Sequence, residues 1–176
     1  MLRPLPGYRM ESLKVEYINP FIVSARTLFG SMAKLDILLE RPWIRGPREA
    51  VSRMFELAVC VELSGHTHGA VCVYLSRPVA CALASALTGA PYTTITEECR
   101  DALGEVGNML VGQAKSKLPG GLCLMSLPRI IDAGEMTFPP SMPVINIPID
   151  TPAGRFIIAV GCRTARGEPT DVSLAV

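Results

Sequence analysis

Residues 104–112, with the sequence GEVGNMLVG, combine one carboxylate and one carboxamide with three glycines. Apolar side chains recur at helical spacing through and beyond this stretch, which predicts a long helix. Glu105 and Asn108 then lie one turn apart on the outward face, with Gly112 in the next turn. A glycine inside a helix costs about 1 kcal/mol relative to alanine. An exposed Gly112 therefore indicates room for another molecule, although an ordinary solvated surface is the alternative.

Two faces separate when this helix is projected at about 100° per residue. The wide apolar face is expected to pack on the core, and its members are Leu103, Val106, Met109, Leu110, Val111, Ala114 and Leu118. The narrow outward stripe holds Asp101, Glu105, Asn108, Gly112 and Lys115. Gly107 lies elsewhere, and we expect it to permit close packing with the first long helix. The projection leaves Gly104 unexplained.

The residue types that are absent from this stripe limit the reactions that it can catalyse. It has no His, Cys or Ser beside a base, so it offers no candidate for nucleophilic catalysis. The Glu105 and Asn108 pair is too small for a metal site built from protein alone, and we predict no metal or cofactor held by this chain. An amide can orient a water and a carboxylate can hold a cation, which suits phosphoryl transfer, where catalysis is mostly positioning. Because the chain has no phosphate-binding loop of the form G-x-x-x-x-G-K-[ST], the missing groups would have to come from a partner.

The composition of the chain excludes several classes of protein. With 176 residues and 18.9 kDa it fits one domain, and its 17 basic and 16 acidic residues leave a net charge of +1. That balance gives no reason to expect a nucleic-acid or anionic-membrane surface. No apolar run approaches the ~18 residues of a membrane span, and the N-terminus has no apolar signal-peptide region. We therefore expect a soluble, cytoplasmic protein, with residues 1–12 as a loosely held arm.

The cysteines and histidines favour structural roles. The six cysteines stand singly among apolar residues, with no C-x-x-C pair, so we expect reduced buried thiols rather than disulfides or metal ligands. His66 and His68, in GHTHG, are flanked by glycines without further ligands at a matching spacing. That pattern favours a hairpin turn over a metal site.

The first half of the chain predicts a long helix, a short strand, a hairpin and a second helix. The long helix should begin with Asn19 as its cap and Pro20 at the first helical position. A short strand is expected around ILLERPWI, and FELAVCVEL and GAVCVYL form a predicted hairpin. The small-residue stretch RPVACALASALT should be a helix that ends at Gly89.

The second half repeats the order of long helix, short strand and hairpin. Its helix is predicted to start near Thr94, where Thr94 and Glu97 would form a capping box, and to end near Leu118. LCLMSLPRII is predicted to be one strand, followed by the hairpin of PVINIPID and GRFIIAVGCR.

This repeated order predicts an internal duplication. We expect an α+β fold of two α-β-β-β units, with a mostly antiparallel sheet and the two long helices packed together on one face. Residues 13–176 would form a single domain with pseudo-symmetric halves at about 14–90 and 91–165.

An overlay of the two long helices compares the two copies. In this overlay Glu105 falls on Ser24 and Asn108 falls on Thr27, with most apolar positions preserved. The first copy therefore lacks both the carboxylate and the amide, which predicts one site per chain.

Three stretches resemble one known family. They are the helix EVGNMLVGQAKSKL with its E-x-x-N-x-x-x-G spacing, the opening VEYINPFIVSARTLF, and SLPRII. Together with the repeated architecture, they make the chain resemble the CheX/CheC/FliY family of chemotaxis phosphatases, and its CheX branch in particular. The resemblance implies a CheC-like fold and a hydrolase that removes the phosphoryl group from the aspartyl phosphate of a CheY-like response regulator. The pathway would be chemotaxis or another two-component system.

The resemblance also implies roles for the residues of the stripe. Glu105 would pair with the active-site lysine of the phosphorylated regulator, and Asn108 would hold the attacking water in line. The Mg²⁺ ion and the phosphorylated aspartate would belong to the regulator. The family further implies a homodimer, for which edge-strand pairing is one route. The partner-contact residues would be Asp101, Met109, Gly112 and Lys115.

Two alternatives stay open at this point. The same fold could be a non-catalytic module, related to flagellar-switch domains, that binds a response regulator without hydrolysing its phosphoryl group. The motif could also persist only as a remnant of the duplicated fold. An intact E-x-x-N spacing argues against a docking surface alone, because such a surface has no need for a water-positioning amide.

Overall fold

The computed structural model describes residues 15–46 and 49–164, so the predicted arm at residues 1–12 lies outside the described residues. Within them, three α-helices and eight strands follow one another along the chain. The helices are α1 (Val15–Ala25), α2 (Arg77–Thr88) and α3 (Glu97–Lys115). The strands are β1 (Leu38–Leu39), β2 (Trp43–Ile44), β3 (Leu57–Gly65), β4 (Thr67–Leu75), β5 (Cys123–Met125), β6 (Arg129–Asp132), β7 (Val144–Thr151) and β8 (Gly154–Thr164).

All eight strands belong to one antiparallel sheet. Its order is β1-β7-β8-β4-β3-β5, with β2 also paired to β7 and β6 also paired to β3. The two hairpins meet at the centre of the sheet through β4 and β8. The short strands that follow each long helix pair with the hairpin of the other half, since β1 and β2 join β7 whereas β5 and β6 join β3. The predicted α+β fold with a mostly antiparallel sheet is confirmed, whereas the predicted domain and half boundaries stay predictions.

The helices cover one face of this sheet. Val59 of β3 and Val73 of β4 belong to the same buried core as Phe21 of α1, Leu83 of α2 and Leu103 of α3. Each fully buried side chain of this kind contributes roughly 1.5–3 kcal/mol. α3 contacts both α1 and α2, so the predicted packing of the two long helices on one face is confirmed. A second, smaller core on the other face includes Ala58, Cys60, Cys72, Tyr74, Ile157 and Ala159.

The first helix starts earlier than predicted. Pro20 lies inside α1 instead of at its first position, and the helix already includes Val15. A proline in a helix interior donates no backbone hydrogen bond. Ile18 and Phe21, on either side of it, are buried in the core, and this tertiary packing keeps the segment helical. Beyond α1, residues Arg26–Met32 continue as wider π-helical turns.

The bounds of α3 also differ from the prediction. The helix begins at Glu97 and ends at Lys115. Its N-cap is Thr96, whose hydroxyl accepts a hydrogen bond from the Cys99 N–H at 3.3 Å. The predicted capping box at Thr94 is therefore wrong by two residues. The prediction for α2 is confirmed, because that helix ends at a left-handed glycine, Gly89, with a φ of 76°.

The predicted strand LCLMSLPRII is divided into β5 and β6. Both pair with β3, but in registers that differ by one residue, since Leu63 faces Met125 and Leu57 faces Asp132. Pro128, just before β6, has no N–H to donate to a neighbouring strand. The residues between β5 and β6 therefore form a short loop.

Candidate functional site

α3 carries the predicted stripe on its outer face. Leu103, Val106 and Leu110 are buried in the core, so Glu105 and Asn108 are turned outward and are exposed. Asn108 Nδ2 donates a hydrogen bond to Glu105 Oε2 at 3.5 Å. This distance is at the long end for a hydrogen bond, so the bond is weak and another molecule can engage both side chains.

The other predicted contact residues differ in exposure. Asp101 is exposed, whereas Met109, Gly112 and Lys115 are half-buried. Met109 also packs against the main core, which limits it to the edge of the outward surface. The fully exposed part of the stripe therefore runs from Asp101 to Asn108.

The start of α3 is stabilised by charge and by hydrogen bonds. Glu97 and Glu98 lie in its first turn and Lys115 lies in its last turn, which are the favourable signs for the helix dipole. A hydrogen bond from its own backbone N–H, together with one from the Thr96 side chain, lowers the pKa of Glu98. These contacts fix the helix that carries the stripe.

Gly107 allows α3 to pack closely on the sheet. A Cβ atom added at Gly107 would lie 2.7 Å from Cγ1 of Val59 and 3.6 Å from Cβ of Pro128. The first distance is shorter than any normal carbon contact. Close packing at Gly107 was predicted correctly, but the predicted partner, the first long helix, is wrong. The residues nearest to Gly107 belong to β3 and to the loop before β6.

Gly104 and Gly112 leave the outer side of α3 open. A Cβ atom at Gly112 would have Met125 Sδ at 4.0 Å, and one at Gly104 would have nothing within 4 Å. Gly104 borders a shallow groove of about 550 Å³ between α3 and the start of β6. The residues that line this groove are Glu97, Arg100, Asp101, Gly104, Pro128 and Ile130.

Sequence reasoning missed most of this groove. Of its lining residues only Asp101 was a predicted contact, and Pro128 and Ile130 could not be predicted because they lie far from α3 in the chain. Two signals pointed towards it. One was the unexplained Gly104, and the other was the proline that interrupts the predicted strand in SLPRII.

The burial pattern of the first long helix favours an overlay on α3 that differs by one residue from the overlay predicted from the sequence. Ser24, which the sequence overlay placed on Glu105, is only 1% exposed, whereas Val23 is 43% exposed. A shift of one residue aligns the exposed Val23 and Arg26 with Glu105 and Asn108. In either register the first helix has neither a carboxylate nor an amide at the two positions aligned with Glu105 and Asn108. α1 does hold an exposed carboxylate and an exposed amide three residues apart, Glu16 and Asn19, but these lie outside the positions that either overlay aligns with Glu105 and Asn108.

The cysteines and histidines outside the stripe lie at structural positions in the fold. Residues 15–46 and 49–164 contain no group of three or more His, Cys, Asp or Glu side chains that could hold a metal ion. In the same residues, no helix is long and apolar enough to cross a bilayer. All six cysteines are buried and unpaired, as predicted. His66 lies at the turn between β3 and β4, which confirms the predicted hairpin.

Two of the cysteines are neighbours across the sheet. Cys60 of β3 faces Cys72 of β4. A hydrogen bond with Cys72 lowers the pKa of the Cys60 thiol, and the charge of Arg129 lowers it further. Burial raises the pKa of Cys72 well above its usual value. Cys60 is therefore the thiol with the greater tendency to ionise.

The chain matches known proteins in family and in fold. The family model described as Chemotaxis phosphatase CheX matches residues 57–150, which is more than half of the chain and includes α3. No curated protein sequence matches the chain significantly.

Solved structures match over nearly their whole lengths. CheX from Desulfovibrio desulfuricans has a TM-score of 0.71 and 26% identity, covering 82% of this chain and 97% of its own. CheX from Vibrio vulnificus has a TM-score of 0.75 and 22% identity, covering 84% and 99%. The CheX–CheY–BeF3–Mg²⁺ complex from Borrelia burgdorferi matches with a TM-score of 0.71 and 20% identity, covering 85% and 99%. The Vibrio vulnificus and Borrelia burgdorferi structures, at 22% and 20% identity, show only that the fold is shared. The resemblance found in three short motifs is confirmed, and the chain belongs to the CheX family of chemotaxis phosphatases.

Proposed function

We propose that this chain hydrolyses the aspartyl phosphate of a CheY-like response regulator. The observation that carries the proposal is the exposed pair of Glu105 and Asn108, joined side by side on α3 of a chain in the CheX family. The Borrelia burgdorferi CheX, which shares this fold, was solved in a complex with CheY, BeF3 and Mg²⁺. Because BeF3 on a carboxylate mimics a phosphoryl group, that complex supports a phosphorylated receiver as the partner.

Asn108 would position the attacking water. Hydrolysis of an aspartyl phosphate requires a water oxygen to attack phosphorus opposite the carboxylate oxygen that leaves, which releases phosphate and restores the aspartate. The Asn108 carboxamide oxygen can accept a hydrogen bond from this water, and the amide stays neutral across the working pH range. Catalysis is then a matter of positioning, while the Mg²⁺ held by the regulator balances the phosphoryl charge.

Glu105 would dock the regulator and orient the amide. Its Oε2 accepts a hydrogen bond from Asn108 Nδ2, so the carboxamide oxygen at the other end of the amide can face the water. A carboxylate has two oxygens and several lone pairs. It can therefore accept from a lysine of the regulator at the same time, in a charge-assisted bond.

The remaining stripe residues would form the contact surface around this pair. Gly112 leaves the backbone bare one turn beyond Asn108, which permits the close approach of a receiver. Asp101, Met109 and Lys115 would border that approach. We also propose that the protein acts as a cytoplasmic homodimer, for which light scattering of the purified chain is the direct test.

Removal of the amide tests the catalytic role. Asn108→Ala should lower the turnover of a phosphorylated CheY-type receiver by ~10²–10³-fold, which is the loss typical of one positioned polar group. Thr27→Ala is the matched control, because Thr27 is an exposed polar residue in the helical turns after α1, at the position that the sequence overlay placed on Asn108, and its turnover should equal that of wild type. The measurement is phosphate release from the receiver in the presence of Mg²⁺. Wild-type turnover by Asn108→Ala would refute the assignment.

Reversal of the charge tests the docking role. Glu105→Arg should weaken binding to a receiver loaded with BeF3 and Mg²⁺, whereas Glu40→Arg, at another exposed glutamate, should bind as wild type does. Asn108→Ala should retain most of its binding while losing turnover. If the wild-type chain binds the loaded receiver but never accelerates phosphate release, it is the non-catalytic binding module instead.

A further inference from the structure

One apolar side chain beside this site is almost fully in solvent. Leu127, in the loop between β5 and β6, is 85% exposed, the largest fraction among the exposed large hydrophobic residues of the described chain. Single exposed leucines are common on protein surfaces, so exposure alone indicates nothing. Leu127 differs from such residues in how its loop is held and in where the loop lies.

Contacts on both sides fix the loop that carries Leu127. The Ser126 N–H donates to the Glu62 carbonyl at 2.9 Å, and the Glu62 N–H donates to Ser126 Oγ at 3.0 Å. Ser126 Oγ in turn donates to the carbonyl of Leu127 at 2.9 Å. On the other side, Pro128 lies against Gly107 of α3. The backbone around Leu127 is therefore tied to β3 and to α3, and it holds the side chain in solvent.

The same loop borders the Asn108 side of the stripe. At about 100° per residue, Gly104 and Gly107 lie on the flank of α3 next to Asn108. Pro128 packs on Gly107 and lines the groove that Gly104 leaves open. Leu127 directly precedes Pro128. It therefore stands beside the part of the helix that would reach the phosphoryl group.

We propose that Leu127 is an apolar docking contact for the response regulator, against the surface next to the phosphorylated aspartate. This inference rests on the proposed function. The occupant is the receiver, because the loop runs along α3 between Met125, which approaches Gly112, and Pro128, which approaches Gly107, and a receiver with its phosphoryl group at Asn108 would lie over that same stretch of the helix. Burial of Leu127 then removes apolar surface from water, and the fixed backbone of its loop has little freedom left to lose on binding.

The surroundings of Leu127 suit an interface of this kind. Interfaces combine an apolar centre with a polar rim, and the neighbouring groove supplies charged groups from Glu97, Arg100 and Asp101. Leu127 itself has no group that can orient a water or balance charge. Its role would be affinity and choice of regulator, and the chemical step would depend on Asn108.

Truncation of the Leu127 side chain distinguishes a role in regulator affinity from a role in the chemical step. Leu127→Ala should raise both the Kd for a receiver loaded with BeF3 and Mg²⁺ and the KM for the phosphorylated receiver by about 10-fold. Its kcat should stay within about 2-fold of wild type. Leu127→Met, which keeps a long apolar side chain, should restore most of the affinity. Leu38→Ala is the matched control, because Leu38 is 61% exposed in β1 at the opposite edge of the sheet.

The outcomes distinguish this inference from the proposed function. Wild-type Kd and KM for Leu127→Ala would overturn the docking role and leave the phosphatase proposal intact. A change in oligomeric state, without a change in receiver binding, would also overturn it, because Leu127 would then contact a second copy of the chain. A wild-type chain that neither binds nor dephosphorylates any receiver would overturn the proposed function, and this inference would fail with it.

Discussion

Alanine at Gly107 should destabilise the protein although alanine is the better helix former. The added Cβ would lie 2.7 Å from Cγ1 of Val59, about 1 Å closer than carbon atoms prefer. Val59 is buried within a paired strand and is stiff at χ1, so it cannot move away freely. Overpacking of this kind costs about 1–3 kcal/mol, which outweighs the ~1 kcal/mol gained from helix propensity. We expect a net loss of about 1 kcal/mol.

The same substitution at Gly104 supplies the reference. A Cβ atom there has nothing within 4 Å, so Gly104→Ala should gain up to about 1 kcal/mol from helix propensity alone. The difference between the two variants cancels the propensity and isolates the steric cost, about 1–3 kcal/mol. Urea unfolding followed by circular dichroism measures it, provided that the slope m is unchanged. In a chain of this size, 1 kcal/mol corresponds to a shift in Tm of about 2–4 °C.

Two results would decide whether the contact with Val59 causes the loss of stability in Gly107→Ala. Equal midpoints for Gly107→Ala and Gly104→Ala would refute the steric reasoning. If the reasoning holds, Val59→Ala should remove the clash. The double variant Val59→Ala/Gly107→Ala should then be more stable than the sum of the single effects predicts, by about 1–3 kcal/mol.

Three further outcomes follow from the structure. Gly112→Ala should gain up to about 1 kcal/mol in urea unfolding yet lower receiver turnover, because its methyl group enters the proposed interface; unchanged turnover would contradict that surface. Cys60 should be alkylated faster than Cys72, because their hydrogen bond lowers the pKa of Cys60 whereas burial raises the pKa of Cys72; mass spectrometry follows both thiols, and Cys72→Ala should slow the alkylation of Cys60 by removing the hydrogen bond. Asp150, whose pKa is lowered by a hydrogen bond with Arg155, should stabilise the fold above its unfolded pKa. Asp150→Asn should therefore cost under about 1 kcal/mol near pH 7, and the cost should decline as the pH falls from 3.8 through the lowered pKa of folded Asp150.

Local sequence sufficed to identify the outward pair on α3. The spacing of Glu105 and Asn108 places them on one face of any α-helix, because the backbone geometry of a helix is the same in every fold. The buried partners of that helix were equally readable, since apolar residues recur with its period. The outward direction of the pair was therefore predictable before any tertiary contact was known.

Helix boundaries were less predictable. Pro20 carries a strong local signal for a helix start, yet burial of Ile18 and Phe21 extends α1 past it. Thr94 and Thr96 are both plausible caps by residue type, and the difference is that Thr96 accepts the bond from Cys99. Local signals that are close in free energy are decided by packing elsewhere in the fold.

The sequence by itself determined the α+β class, the family resemblance and the exposed carboxylate and amide on the second long helix. Tertiary structure alone decided what lies beside that pair. Gly107 meets Val59 and Pro128, which are distant from it in the chain, and Leu127 is left in solvent within a stretch that reads as an apolar strand. The physical reason is that periodicity reports which face of an element is buried. Which segment then packs against that face depends on strand order and register, and these are set by contacts across the whole chain.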